Sequence, residues 1–421
     1  MFANNPVTRV RNIYDEYPRQ FWILVMGMFI DTLGRTMLNP FLMLYVTKKF
    51  DVGMTEVGML FGLVAIMGML GRMLGGALTD RLGRKWMVIF GLTISGLSSL
   101  AIGAVGTFEL LFAVMLFVGL VASIGGPAQG AMIADILPEE KRTSGFGIFR
   151  VIANISWVCG PVLGGLLVTR SYLPLFIADA VASTITAGIV FLAIQETRPA
   201  SREGKPEQTM AQTFIGYREV AKDVTFMLFT GACIFMTIGY LQIYTTLGVY
   251  LRDTHGIAER AYGWLMSMNA ATVVLLQISV SRQVEKHRPM IMMALGALLY
   301  AVGLGMYGFA SAYLPFVIAM FIITVGEMVV MPTMQALVAK MAPEDMRGRY
   351  MAIWGLGWSI PAAVGPFLAG LVMDHADPRW VWYAAGLLCL IGSAAFVLLR
   401  RRAEERTTEK SVPAAEAVAP A

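Results

Sequence analysis

The sequence predicts an all-α membrane protein whose twelve transmembrane helices form two pseudo-symmetric six-helix bundles. Three observations predict it: an apolar composition, charge-free stretches of membrane length, and an ungapped internal repeat. Of 421 residues, 57% are hydrophobic and only 14% charged, more apolar than one soluble domain can be. No charged residue occurs between Lys85 and Glu109, Glu109 and Asp135, Asp223 and Arg252, or Arg349 and Asp374. Each interval can carry a helix across a hydrocarbon core about 30 Å thick, which takes about 20 residues.

Read in order, the spans fall at about 20–46, 56–79, 86–106, 110–136, 144–169, 172–194, 224–251, 260–280, 289–309, 313–341, 350–373 and 380–399. The first contains Asp31 and Arg35 and has no small-residue cleavage site behind it, so it reads as a span and not as a signal peptide. Five segments follow: an N-terminus at 1–19, six spans at 20–194, a linker at 195–223, six spans at 224–399 and a tail at 400–421. The linker carries Pro199, Ser201, Gly204 and Pro206 among its charges, a flexible composition. With both termini on one side, that side collects 24 Lys and Arg residues against 6 on the other. The positive-inside rule then puts both termini in the cytoplasm of a cell (inner) membrane protein.

The repeat makes the two halves parallel copies. A shift of 205 positions lays Pro127 on Pro332, Pro138 on Pro343, Glu139 on Glu344, Arg142 on Arg347, Gly160 on Gly365, Pro161 on Pro366 and Gly165 on Gly370.

Other chemistries find no support. Cys159, Cys233 and Cys389 lie in apolar runs without CxxC spacing, and His255, His287 and His375 fall in three different loops, so no disulfide, metal or cofactor is expected. The net charge of +5 is spread through short loops and forms no nucleic-acid face. No catalytic constellation or Walker loop appears, which excludes an enzyme or a nucleotide-driven pump and leaves an ion gradient as the energy source.

Between spans two and three the chain reads Gly76-Ala77-Leu78-Thr79-Asp80-Arg81-Leu82-Gly83-Arg84-Lys85. Gly83 supplies a tight turn, and Asp80 ends one helix beside the basic cluster that starts the next. This loop resembles the signature G-x-L-x-D-R-x-G-R-K of the major facilitator superfamily at every fixed position. The resemblance implies a cytoplasmic gate made by Gly76, Asp80, Arg81, Gly83, Arg84 and Lys85, joined by Asp135 and Arg142 at the end of span four. Topological charge alone is the plainer reading of the basic residues, and a solvated helix end that of Asp135.

Span five carries Gly147, Ser156, Gly160-Pro161 and Gly164-Gly165, which is similar to the antiporter motif G-x8-G-x3-G-P-x2-G-G with Ser156 in place of Gly. Small residues at helical spacing let two backbones approach closely, and that is also what generic helix packing uses. Asp31-Thr32-Leu33-Gly34 with Pro40 resembles the first-span element of drug/proton antiporters, whose acid contributes to proton coupling; a structural pair with Arg35, one turn on, is the alternative. Gly326, Glu327 and Pro332 match a span-ten G-E-x-x-x-x-P element of the same relatives. The Arg that many of them carry before a Gly in span four is missing from Met115-Leu116-Phe117-Val118-Gly119. Proton coupling is therefore expected from Asp31, Glu327 or Arg35.

Span seven offers Phe235, Met236, Tyr240, Gln242 and Tyr244, and span eight Asn269, as an adaptable cavity that would suit amphipathic cations beside Glu327. Ordinary helix packing accounts for these residues equally well. The expected function is export of small amphipathic, often cationic molecules in exchange for protons, by a monomer surrounded by lipid and working by alternating access. A lipid or glycolipid flippase and a proton-coupled small-solute symporter remain as alternatives on the same fold.

Overall fold

A computed structural model describes residues 14–169, 171–197, 218–343 and 346–409. Among these are twelve helices long and apolar enough to cross a membrane. They are α1 (Arg19–Phe50), α2 (Met54–Leu82), α3 (Arg84–Ala104), α4 (Phe108–Ile136), α5 (Glu139–Leu167), α6 (Leu173–Ala193), α7 (Val224–Thr245), α8 (Glu259–Val284), α9 (Pro289–Phe309), α10 (Tyr313–Met341), α11 (Arg347–His375) and α12 (Arg379–Glu409).

Prolines interrupt the hydrogen-bond ladder of several of these helices where the sequence puts them, because each removes a backbone donor. Pro40 turns one stretch of α1, Asn39–Phe41, into a tighter 3-10 helix; α4 tightens likewise at Ser123–Gly125, just before Pro127. Pro161 lies inside α5, Pro332 inside α10, and Pro361 and Pro366 inside α11. α12 runs ten residues past the predicted span end, through Arg400–Arg402 into a stretch of good helix formers.

The chain forms two compact units. Unit 1 comprises Met1–Val52, Leu60–Gly204 and Ile257–Val274; unit 2 comprises Gly53–Met59, Lys205–Gly256 and Leu275–Ala421. The borrowed ends have physical anchors. In unit 2 the Asp374 carboxylate accepts from the backbone N–H groups of Met54 and Thr55 at 2.9 and 2.6 Å, capping the positive end of α2. In unit 1 the Glu259 carboxylate accepts from Tyr172 at 2.6 Å and from Lys48 at 3.1 Å.

Packing repeats between the units with a step of six helices. In unit 1, α1 lies against α5 and α6, and α3 against α4 and α6. In unit 2, α7 lies against α11 and α12, and α9 against α10 and α12.

At one end of unit 2, Tyr250, Tyr307, Phe316 and Trp382 are fully buried, and His255 joins them with ring centroids 4.9 Å from Tyr250 and 5.1 Å from Phe316. Burial, reinforced by the positive charge of Arg379, lowers the His255 pKa below its ordinary value. A folded-state value below the unfolded one stabilises the fold above the unfolded pKa and loses that contribution as pH falls through the folded one. The melting temperature in detergent is therefore expected to drop between about pH 7 and pH 5, and His255→Phe to flatten part of that drop. An identical pH profile in the variant would remove His255 from the account.

Candidate functional site

The first polar centre is built on α1, α3 and α6 inside unit 1. Asp31 is 5% exposed and takes an Arg35 Nη2 hydrogen bond at 2.8 Å on one oxygen and a Ser183 hydroxyl at 2.9 Å on the other. One turn before Ser183, Asp179 is equally buried and bonded to the Ser99 hydroxyl. Gly34 makes this possible: a Cβ there would stand 2.6 Å from Ala182 Cβ and 3.3 Å from the Asp179 carboxylate. Two carboxylates and one guanidinium thus share one interhelical layer, an arrangement costly to desolvate unless each charge is partnered or protonated. Asp179 is visible in the sequence as an intramembrane acid, yet nothing there connects it to Ser99 or places it beside Asp31.

The signature loop is ordered by an acid the sequence does not advertise. Gly83 has φ of 96°, a conformation that strains any other residue, and it ends α2 and opens α3 at once. Glu196, just past α6, accepts from the backbone N–H of Arg84 at 2.8 Å and of Lys85 at 3.4 Å, satisfying the open N-terminus of α3. The Arg84 guanidinium forms an ion pair with Asp135, Lys85 Nζ donates to the Phe191 carbonyl at 2.8 Å, and Arg142 Nε donates to the Ala134 carbonyl at 2.8 Å. Arg84, Asp135 and Arg142 therefore meet at one end of unit 1. The side chains of Gly76, Asp80 and Arg81 lie outside the described residues.

The span-five glycines behave in two ways. Gly160 and Gly164 press directly on Thr36 and Met37 of α1, so that a Cβ at either would collide with that helix. Gly165 meets Phe41 and Arg260 at ordinary contact distances, and Gly147 faces open space. Ser156 is fully buried; its hydroxyl turns back to the Ile152 carbonyl at 3.1 Å, and its own carbonyl accepts from Thr36 at 3.0 Å. A serine fits here because its hydroxyl is satisfied within its own helix.

The second polar centre lies within unit 2. Glu327 sits midway along α10, near the phenols of Tyr240 and Tyr300. Those two rings stack with centroids 4.9 Å apart; Tyr240 also bonds Tyr244 hydroxyl to hydroxyl at 3.0 Å and meets Trp358 edge-on at 6.5 Å. The Tyr300 hydroxyl is buried without a hydrogen-bond partner among the described residues. Tyr300 and Trp358 are absent from the cavity the sequence predicts, since aromatic residues in α9 and α11 carry no sign of which face they occupy.

The other predicted cavity residues go elsewhere. Met236 is buried against Gly392 of α12, whereas Phe235 turns outward with 45% exposure. Gln242 donates to the Ile238 carbonyl and accepts from Thr246 at 2.6 Å, beside a small apolar cavity of ≈ 120 Å³ with Gly365 and Ala385. Asn269 is buried in unit 1. Among the described residues no group of three or more His, Cys, Asp or Glu side chains is placed to hold a metal ion.

The sequence profile of the Major Facilitator Superfamily matches residues 24–258 and 243–420, one half after the other. The chain belongs to the major facilitator superfamily. A Na(+), Li(+), K(+)/H(+) antiporter of Planococcus maritimus is 26% identical over 408 residues, covering 90% of this chain and 94% of its own. The quinolone resistance protein NorA of Staphylococcus aureus is 22% identical over 94% of this chain and all of its own. Among solved structures, a point mutant of the nucleoside transporter NupG superposes with a TM-score of 0.78 at 13% identity, covering 90% of this transporter and all of that chain. These relatives and neighbours are transporters and not enzymes, and this chain is a multi-pass membrane transporter with their fold.

Proposed function

We propose that this transporter exports amphipathic, often cationic small molecules in exchange for protons. The observation that carries the reading is Glu327 at mid-membrane depth beside the stacked Tyr240–Tyr300 pair. A carboxylate next to ring faces attracts a lipophilic cation through charge and the aromatic quadrupole, and a proton on the same carboxylate removes the first attraction. Competition for one acid is the simplest way to couple the two in opposite directions. Asp31 and Arg35 contribute to proton coupling in the other half, and the Gly83–Lys85 turn with Asp135 and Arg142 serves as the cytoplasmic gate. The loop charges support cytoplasmic termini in the cell (inner) membrane, and the protein works as a monomer surrounded by lipid.

The relative from Planococcus maritimus gives a second reading, exchange of monovalent metal cations for protons. One experiment separates them. In proteoliposomes holding a pH-sensitive dye, an imposed proton gradient is expected to collapse on addition of tetraphenylphosphonium, and not on addition of Na⁺ or K⁺. Collapse with the metal ions alone would replace the first reading by the second, and collapse with neither would end proton antiport for these substrates.

A further inference from the structure

A cavity of ≈ 340 Å³ lies inside unit 1, apart from the aromatic centre, and is lined by Asp31, Arg35, Arg72, Ser95, Ser123 and Gln129. The charged groups on its lining are two guanidiniums and one carboxylate, with the second acid of this layer, Asp179, set behind them against Ser99. Both Asp31 oxygens are already engaged, one by Arg35 and one by Ser183, while the Arg35 side chain keeps 50% exposure. Arg72 has neither a hydrogen bond nor an ion pair among the described residues. Its head is nonetheless turned into the cavity. A Cβ built on Gly68, one turn earlier, would stand 3.7 Å from Arg72 Nη1 and 3.1 Å from the Ser123 hydroxyl of α4.

Arg72 lies seven residues inside the end of the predicted second span at 79, about 10 Å at helical rise, and is exposed on the open side of the cavity. A guanidinium that faces an open polar cavity is solvated by water or paired with an anion. Its planar fork matches an oxyanion in bidentate fashion, and Ser95, Ser123 and Gln129 add neutral donors around the same space.

We propose that this cavity is an anion-binding subsite that takes the carboxylate or phosphate of an amphipathic molecule, with Arg72 as its free fork and Arg35 as its second cation. Substrates would then include zwitterions, whose anionic group goes to unit 1, in addition to plain cations. Asp31, with Asp179 behind it, is the group that opposes an anion here, so a neutral residue at position 31 is expected to strengthen anion binding. The inference rests on the export reading only in making the anion part of a transported molecule.

The test is a binding measurement on the full chain in phosphatidylcholine nanodiscs, with norfloxacin, norfloxacin methyl ester and tetraphenylphosphonium as probes. The wild type is expected to prefer the acid over its ester by about tenfold. Arg72→Gln erases that preference with little change for the ester, Arg72→Lys keeps part of it, and Asp31→Asn increases it. Equal binding of acid and ester by the wild type, or a preference that survives Arg72→Gln, overturns the proposal. Phosphatidylglycerol added to the disc separates the two sources: if it abolishes the wild-type preference the cavity belongs to a lipid phosphate, and if it does not, to the substrate's carboxylate. Tetraphenylphosphonium judges the export reading separately, since its binding is expected to need Glu327 and not Arg72.

Discussion

Glu327→Gln is expected to lower proton-driven transport of tetraphenylphosphonium by at least about tenfold, flatten its pH dependence, and leave neutral compounds within about threefold of wild type. The amide keeps the shape and hydrogen-bonding reach of the acid but cannot ionise. Glu327 stands at the centre of α10, as far from lipid headgroups as that helix allows. In the proposed exchange its charge is what a bound cation and a proton compete for, so a neutral isostere tests that role directly. The substitution leaves the stacked Tyr240–Tyr300 rings in place, which is why neutral compounds are expected to be little affected. If cationic and neutral substrates keep wild-type rates and pH profiles in this variant, the coupling acid is not Glu327, and Asp31, held between Arg35 and Ser183, becomes the candidate.

The elements were legible because lipid makes the rules simple. A chain in hydrocarbon has to satisfy its backbone within each helix, so charge-free intervals of sufficient length can be little else than spans, and prolines mark where their hydrogen-bond ladders are interrupted. The partnerships were less legible because they join distant positions. Glu196 reads as one more loop acid, although it closes the N-terminus of α3 more than 100 residues earlier in the chain. Asp179 and Ser99 lie on α6 and α3, and only the close approach allowed by Gly34 brings that pair into the layer of Asp31. Composition could say that α7 is aromatic, but not that Phe235 turns outward while Tyr240 stacks on Tyr300. Which face of a helix is buried is weakly written in a sequence that is apolar all round.

The span-five glycines give the largest expected effect on stability, and they predict opposite signs within one motif. Glycine in a helix interior is worse than alanine by about 1 kcal/mol when nothing else intervenes. Gly147 meets that condition, since no atom lies within 4 Å of the Cβ it would gain, so Gly147→Ala is expected to be neutral or mildly stabilising. Gly164 does not. Its Cβ would collide with the Met37 carbonyl and stand 2.8 Å from the Phe41 ring, and backbone cannot rotate away as a side chain can. Gly164→Ala is expected to part α1 from α5 at a cost of about 3 kcal/mol, and Gly164→Val to prevent a monodisperse fold. Met37 follows Arg35 by two residues, so the same displacement moves the Asp31–Arg35 pair and should lower transport in whatever fraction still folds. Thermal unfolding in detergent, read by size-exclusion chromatography, compares the two alanine variants directly. Equal melting temperatures for Gly147→Ala and Gly164→Ala would mean that α1 and α5 do not touch through their backbones, and the motif would lose its physical reason.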